Sequence, residues 1–236
     1  MSGEPAGERP GPPVEALALA ARALPLPPGA RLAFAPVGAC IPEPLPEAAR
    51  NWAERRRNSF AAGRRAAGRA LAESGYRGHA LLGMAADGLP DWPPGWIGSI
   101  SHADTVAGAV VMPTRDAWPV VLGFDLERIV DPGTAAEIAC SILPEARPGA
   151  SGLPLAEEIT RAFSAKEALY KALYPQTRRF RGFEAARAVW RRDGPQGEVG
   201  LDLVLTEDWG RGWPMGSRLP VFQTVAADHV LTIVWR

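Results

Sequence analysis

The sequence predicts an α+β protein in which each half of the chain carries one long helix and several short strands. Three observations lead there. Apolar residues recur at three- and four-residue spacing over residues 46–74 and again over 155–174. Short apolar runs lie between and after these stretches, some with the two-residue alternation of strands. Segments rich in Pro and Gly punctuate the chain at 25–29, 83–98 and 144–154.

Taken in order, residues 1–13 are rich in Gly, Pro and Glu and read as a loose tail. An Ala/Leu helix follows over Val14–Ala23, then a strand over Arg31–Val37. The helix over Pro46–Ser74 packs through Trp52, Phe60, Gly63, Ala67, Ala70 and Leu71, and Gly75 is its natural stop. Arg50, Arg57 and Arg64 recur every seven residues on another face. After the turn-rich stretch come SISH (99–102), a strand over Val106–Met112 and a strand over Pro119–Val130. In the latter, Val120, Leu122, Phe124 and Leu126 share one face, and Val121, Gly123, Asp125 and Glu127 the other. The second helix runs over Leu155–Tyr174 and should stop at Pro175. Strands near 199–205, 221–225 and 230–234 complete the pattern.

Composition limits the function classes. A chain of 236 residues makes one large domain or two small ones. Its 26 basic residues balance 26 acidic ones, so bulk charge gives no general affinity for nucleic acid or anionic membrane. Any anion site must be local. Cys40 and Cys140 match no metal or redox spacing and read as small buried hydrophobes. No apolar run approaches the roughly 20 residues of a membrane helix, and the N-terminus lacks a basic leader. These readings point to a soluble, cytoplasmic protein. All but two of the basic residues are arginines, and the two lysines, Lys166 and Lys171, are five residues apart.

The chemistry-bearing residues fall in three places. Asp125 and Glu127 share a strand face, and two carboxylates that close repel unless a cation sits between them. In the second helix Lys166 interrupts the apolar stripe of Ile159, Ala162, Leu169 and Leu173, while Glu167 and Lys171 are four apart and able to face each other. Where arginine serves everywhere else, two retained lysines suggest a need for a compact ammonium, such as a point charge on phosphate. Three carboxylates on two elements suit Mg²⁺ better than zinc. In GSISH, small residues let backbone amides approach an anion, with Ser101 and His102 as donors. Arg57 and Arg64 are either a solvated face or a clamp for a further phosphate. Together these suggest metal-assisted chemistry on a pyrophosphate-like substrate.

RRNSFAAGRRAA (56–67), WPPGWIGSISH (92–102), GFDLE (123–127) and FSAKEALYK (163–171), in this order, resemble the 4′-phosphopantetheinyl transferase superfamily, surfactin-type group, and within it the enterobactin-synthase-component type. The resemblance implies a pseudo-symmetric monomer of two similar α/β halves, 14–118 and 119–236, with the active site in the cleft between them. The implied reaction moves the phosphopantetheine arm of coenzyme A onto a serine of an apo acyl or peptidyl carrier protein in siderophore, nonribosomal-peptide or polyketide biosynthesis. Asp125, Glu127 and Glu167 match the family's metal ligands for Mg²⁺ or Mn²⁺, and Glu167 is also the candidate base. Lys166 and Lys171 match lysines on the pyrophosphate, Ser101 and His102 a phosphate-contacting pair, and Arg57 and Arg64 arginines near the 3′-phosphate. The chain departs from many relatives at Ser59, where they carry an acid, and at Gly88, where they carry an arginine. Arg178, Arg179 and Arg181 are candidates for docking an acidic carrier. Two other readings keep part of the site: a Mg²⁺-dependent nucleotide-pyrophosphate hydrolase, and a non-catalytic module that binds coenzyme A or the carrier.

Overall fold

The computed structural model describes residues 12–38, 45–78, 82–114, 121–145, 148–193, 198–210 and 212–236. The chain is a mixed α/β protein built on two antiparallel sheets. The first has the order β1-β5-β4, from Arg31–Pro36 (β1), Trp96–Ala103 (β4) and Val106–Pro113 (β5). The second has the order β6-β10-β9-β8-β7, from Leu122–Arg128 (β6), Ala186–Asp193 (β7), Glu198–Leu205 (β8), Arg218–Ala226 (β9) and His229–Trp235 (β10). A two-residue hairpin, Gly83–Met84 (β2) with Pro90–Asp91 (β3), stands apart.

Helix α1 (Pro12–Ala20) packs on β1 and β9 and buries Leu17. Helix α2 (Glu54–Glu73) lies on the first sheet. Its inner face is Ala61, Ala62, Gly63, Ala66, Ala67 and Ala70, small enough that a Cβ at Gly63 would sit 2.8 Å from Ile100 Cγ2 on β4. Helix α4 (Leu155–Thr177) lies on the second sheet, and helix α3 (Pro132–Ile142) packs against α4. Between the two sheets is a shared core of Phe34, Val110, Met112, Phe124, Leu126 and Ile233. Phe34 and Phe124 meet edge-on there, 6.5 Å apart.

The edge strands β4 and β6 meet at the seam. Ser99 spans it: its Oγ accepts the Phe124 amide at 3.0 Å. On the other face of β6, Gly123 sits directly under α4. A Cβ there would overlap the Ala168 carbonyl oxygen and lie 2.8 Å from the Ala172 nitrogen. Behind the strand, Ser164 of α4 bonds Thr232 at 2.7 Å, and Thr232 is the register partner of Asp125.

Several expectations are corrected. The first long helix is broken: residues Glu47–Asn51 form a 3-10 turn, and Trp52 and Ala53 are extended before α2 begins. The break lets Trp52 fold back edge-on to Phe60, 5.3 Å away, under the Arg56 guanidinium. Helix α4 runs through Pro175 and ends one turn later, at Arg178 with φ 54°. Proline removes the donor that would bond the Lys171 carbonyl, yet the turn persists and is closed by the Arg178 amide on Tyr174 O at 2.9 Å. The first strand of the seam begins at Trp96, inside what reads as a loop. Helix α3 is unanticipated, although Asp131 followed by Pro132 is an N-terminal signal; its carboxylate accepts the Gly133 and Thr134 amides. Cys140 is exposed rather than buried. Residues 1–11 of the expected tail, Cys40, His79 and the start of the strand expected from Pro119 lie outside the described residues, while Pro12 and Pro13 belong to α1.

Gly123→Ala tests the contact between α4 and β6. Because backbone rather than a flexible side chain blocks the added methyl, the variant should lose about 2–3 kcal/mol, the upper part of the overpacking range. A urea-unfolding midpoint equal to that of the parent would show that α4 has room to yield.

Candidate active site at the seam between the sheets

The seam collects the predicted acids and one of the lysines. Asp125 on β6 is fully buried. Its Oδ1 accepts from Lys171 Nζ at 2.5 Å and from Ser101 Oγ at 2.9 Å, and Lys171 also donates to Ser101 at 2.9 Å. So β4, β6 and α4 each contribute one corner of a closed polar triangle. Asp125 Oδ2 is buried with no hydrogen-bond partner. Two residues on, Glu127 has its pKa pushed up to about 8, chiefly by burial and next by the Asp125 charge, with Lys171 opposing. Glu167 is also raised, by burial first, with Lys171 lowering it and Asp125 raising it. His102 stands at the rim, and loss of solvent followed by the Lys171 charge holds its pKa below the ordinary imidazole value.

Lys171 does not spend its ammonium on Glu167, as i,i+4 spacing suggested. It reaches across to Asp125, the more deeply buried charge. As the side chains stand, no three His, Cys, Asp or Glu groups among the described residues converge on one metal position. The cation facing Asp125 in this arrangement is the Lys171 ammonium.

Two pockets flank the triangle, with Tyr170 shared between them. One of about 430 Å³ opens between Trp92, Ile100 and Leu122 on one side and Lys171, Tyr174 and Arg178 on the other. The second, about 240 Å³, is lined by Lys166, Glu167, Tyr170, Phe180, Phe183 and Trp209. Tyr170 and Tyr174 stack one turn apart on α4, a spacing legible in the sequence but not singled out.

The remaining predicted residues have other partners. Lys166 is buried against Ile142 O, Phe183 O and Glu145. Arg64 lies over the Phe60 ring and donates to Leu82 O and Gly83 O, anchoring the β2–β3 hairpin. Its pKa is lowered by burial to about 10. Arg57 is half-buried on α2. Of the arginines expected to dock an acidic partner, Arg178 pairs with Asp87 at the mouth of the larger pocket and Arg181 with Glu207 at 3.3 Å; Arg179 is exposed. Local carboxylates thus cancel two of the three charges. Gly88, in the turn beside Asp87, has φ 84°, a conformation that favours glycine over an arginine. Ser99, Glu145 and Tyr170 are the site-shaping residues that sequence reasoning missed.

Two family models match this chain, the 4′-phosphopantetheinyl transferase N-terminal domain over residues 45–112 and the 4′-phosphopantetheinyl transferase superfamily over 121–234. A 4′-phosphopantetheinyl transferase of Nocardia iowensis is 31% identical over 155 residues, 65% of this chain and 68% of that protein. The chain belongs to the 4′-phosphopantetheinyl transferase superfamily. Enterobactin synthase component D of Salmonella typhimurium is 38% identical over 143 residues, 59% of this chain and 57% of the relative. A 4′-phosphopantetheinyl transferase of Mycobacterium tuberculosis is 38% identical over 155 residues, 65% of this chain and 66% of the relative. The matches thus span a little over half to about two thirds of these relatives. The two superfamily models meet at the seam: Ser101 and His102 fall in the first, and Asp125, Glu127, Glu167 and Lys171 in the second. No helix among the described residues is long and apolar enough to cross a membrane.

The acid pair makes a pH prediction. Glu127 binds a proton in the folded chain up to about pH 8 but in the unfolded chain only to about 4.5. Between those values the folded state holds more protons, so this group lowers stability as pH rises. His102, shifted the other way, raises stability as pH climbs toward its unfolded pKa. Comparing wild type with Glu127→Gln isolates the first effect, although Asp125, Glu167, Asp104 and Lys171 all act on Glu127. With chelator present, the variant should gain stability over wild type between pH 5 and pH 8. Equal unfolding midpoints at both ends would contradict the coupling.

Proposed function

We propose that this chain transfers the 4′-phosphopantetheine arm of coenzyme A to a serine of an apo acyl or peptidyl carrier protein and releases adenosine 3′,5′-bisphosphate. One observation carries the reading: Asp125, buried at the seam with one oxygen held by Lys171 and Ser101 and the other unpartnered. A buried carboxylate oxygen without a donor is costly in a folded protein. An acid beside it with its pKa pushed up to about 8 adds to that cost. Both features fit a cation-binding site.

The oxygen-only donor set fits a hard divalent cation. Asp125, Glu127 and Glu167 are the residues that would hold Mg²⁺, or Mn²⁺ in its place. When bound, such an ion neutralises the pyrophosphate and stabilises charge on the departing phosphate. The rest of the mechanism belongs to side chains. Lys171, freed from Asp125, meets the pyrophosphate as a point charge. Ser101 and His102, on the strand facing it, donate to phosphate oxygens, and Arg57, with whatever donors Arg64 does not spend on Leu82 O and Gly83 O, is assigned to the 3′-phosphate. The pocket lined by Lys171 takes the nucleotide and the pocket lined by Glu167 takes the arm. Glu167, directly or through a water, accepts the proton of the carrier serine as its oxygen attacks the phosphorus attached to the arm. A phosphoester forms, the pyrophosphate bond breaks, and the bisphosphate leaves.

In this reading residues 14–118 and 119–236 are the two related halves of a pseudo-symmetric monomer. The first brings the arginines and the Ser-His pair, the second the acids and lysines. The relatives named for enterobactin synthesis support siderophore or other secondary-metabolite carriers as partners, and a cytoplasmic site of action is part of this proposal.

Intact-mass analysis of an apo carrier, incubated with the chain, coenzyme A and Mg²⁺, tests this. The carrier should gain one phosphopantetheinyl group, and chelator should prevent it. Asp125→Ala and Glu167→Ala, folded by circular dichroism, should each lower the rate at least a hundredfold. Full transfer by either variant would overturn the site. Coenzyme A cleaved with the carrier untouched would point to a hydrolase, and binding without turnover to a non-catalytic module.

A further inference from the structure

The two lysines of this arginine-rich chain sit in different surroundings. Lys171 reaches the buried acid at the seam, while Lys166, only 4% exposed, borders the smaller pocket beside Glu167 and turns its ammonium to the end of α3 and the entry of β7. Its Nζ lies 2.7 Å from Ile142 O, 2.8 Å from Phe183 O, and 3.1 and 3.2 Å from the two oxygens of Glu145. An ammonium has three protons, and here it has three acceptor groups. No donor is left over for a phosphate.

Each acceptor belongs to a different piece of the fold. Ile142 is the last residue of α3, and its carbonyl belongs to a helix terminus that lacks internal partners and favours a cation. Phe183 opens the short 3-10 turn that leads into β7. Glu145 lies in the connection after α3, and its Oε1 also accepts the Ala188 amide of β7 at 2.9 Å. The ammonium therefore ties α4 at once to α3, to the connection and to the entry of β7. A planar guanidinium is bulkier and cannot place three donors in these directions.

Glu167 is the next residue. At about 100° per residue, it stands about 40° from Lys171 and about 100° from Lys166 around the helix. With Lys166 held on one side and Lys171 on the other, the roll of α4 is fixed and the direction of Glu167 follows. We propose that Lys166 is a positioning residue, which meets no substrate phosphate but locks α4 to α3 and β7 and thereby aims Glu167. This inference rests on the transfer reading given above, and it departs from the expectation that Lys166 contacts pyrophosphate.

The test uses the full chain with Lys166→Met, Lys166→Arg and the double variant Lys166→Met/Glu145→Gln. The double variant avoids leaving the Glu145 charge buried without its partner, and it keeps an acceptor for Ala188. Two quantities are read: the Kd of coenzyme A by calorimetry, which needs no turnover, and kcat and KM for carrier modification. The Kd should stay within twofold of wild type while kcat falls about 10- to 100-fold, the usual effect of losing a partner that orients a ligating group. Lys166→Arg should not rescue. A Kd weakened tenfold or more in a folded variant would make Lys166 a direct phosphate ligand and overturn the proposal. An unchanged kcat in the folded double variant, or full rescue by arginine, would overturn it too. If the wild-type chain itself transfers nothing, the functional reading is at fault, and the Kd comparison alone then decides the assignment of Lys166.

Discussion

The site depends on one close approach. At Gly123 the backbone of α4 rests on β6 with no side chain between them, the Ala168 carbonyl occupying the space a Cβ would need. Only at that distance does Lys171 reach Asp125, two residues along the strand, at 2.5 Å. The approach also buries Asp125 completely, which gives its electrostatics their strength. Strand β6 is pinned from its other side by the shared core around Phe124 and by Ser99 of β4. A wider gap at Gly123 would leave two carboxylates and a lysine on separate elements with nothing in common.

Such a triangle is a compromise. A buried carboxylate needs a counter-charge, and Lys171 supplies one, but only to one oxygen. Glu127 and Glu167 are pushed toward their protonated forms, by burial first and then by the Asp125 charge, against the pull of Lys171. A site at ease with itself would pair every charge. This one leaves an acceptor open and two acids raised, a departure from local consistency of the kind expected where function is served. The burial that raises Glu167 also brings it nearer the range in which a carboxylate can take a proton at neutral pH.

Much of this was legible in the residues. The alternation across β6 put Asp125 and Glu127 opposite Phe124, and the structure keeps that division. Lys166 stood out because it broke an apolar stripe, and the scarcity of lysine marked both positions. What could not be read was the partner of each. The acceptors of Lys166 are mostly backbone carbonyls far along the chain, and those of Arg64 are carbonyls of the β2–β3 hairpin. Backbone groups carry no signature in a side-chain sequence. The break before α2 was hidden for a related reason: no Gly or Pro marks Trp52–Ala53, and aromatic packing between Trp52 and Phe60 accompanies the extended turn. Helix α3 was within reach, since Asp131 and Pro132 are a helix start, but eleven residues with few large apolar groups made a weak stripe.

The most direct test of this account is where a divalent cation settles and what Lys171 then does. Crystals grown with coenzyme A and Mn²⁺ allow the ion to be located by its anomalous scattering. The account predicts one Mn²⁺ bound by Asp125, Glu127 and Glu167, with the Lys171 ammonium moved from Asp125 onto the pyrophosphate. An ion bound elsewhere, or Lys171 still paired with Asp125 beside bound coenzyme A, would contradict it.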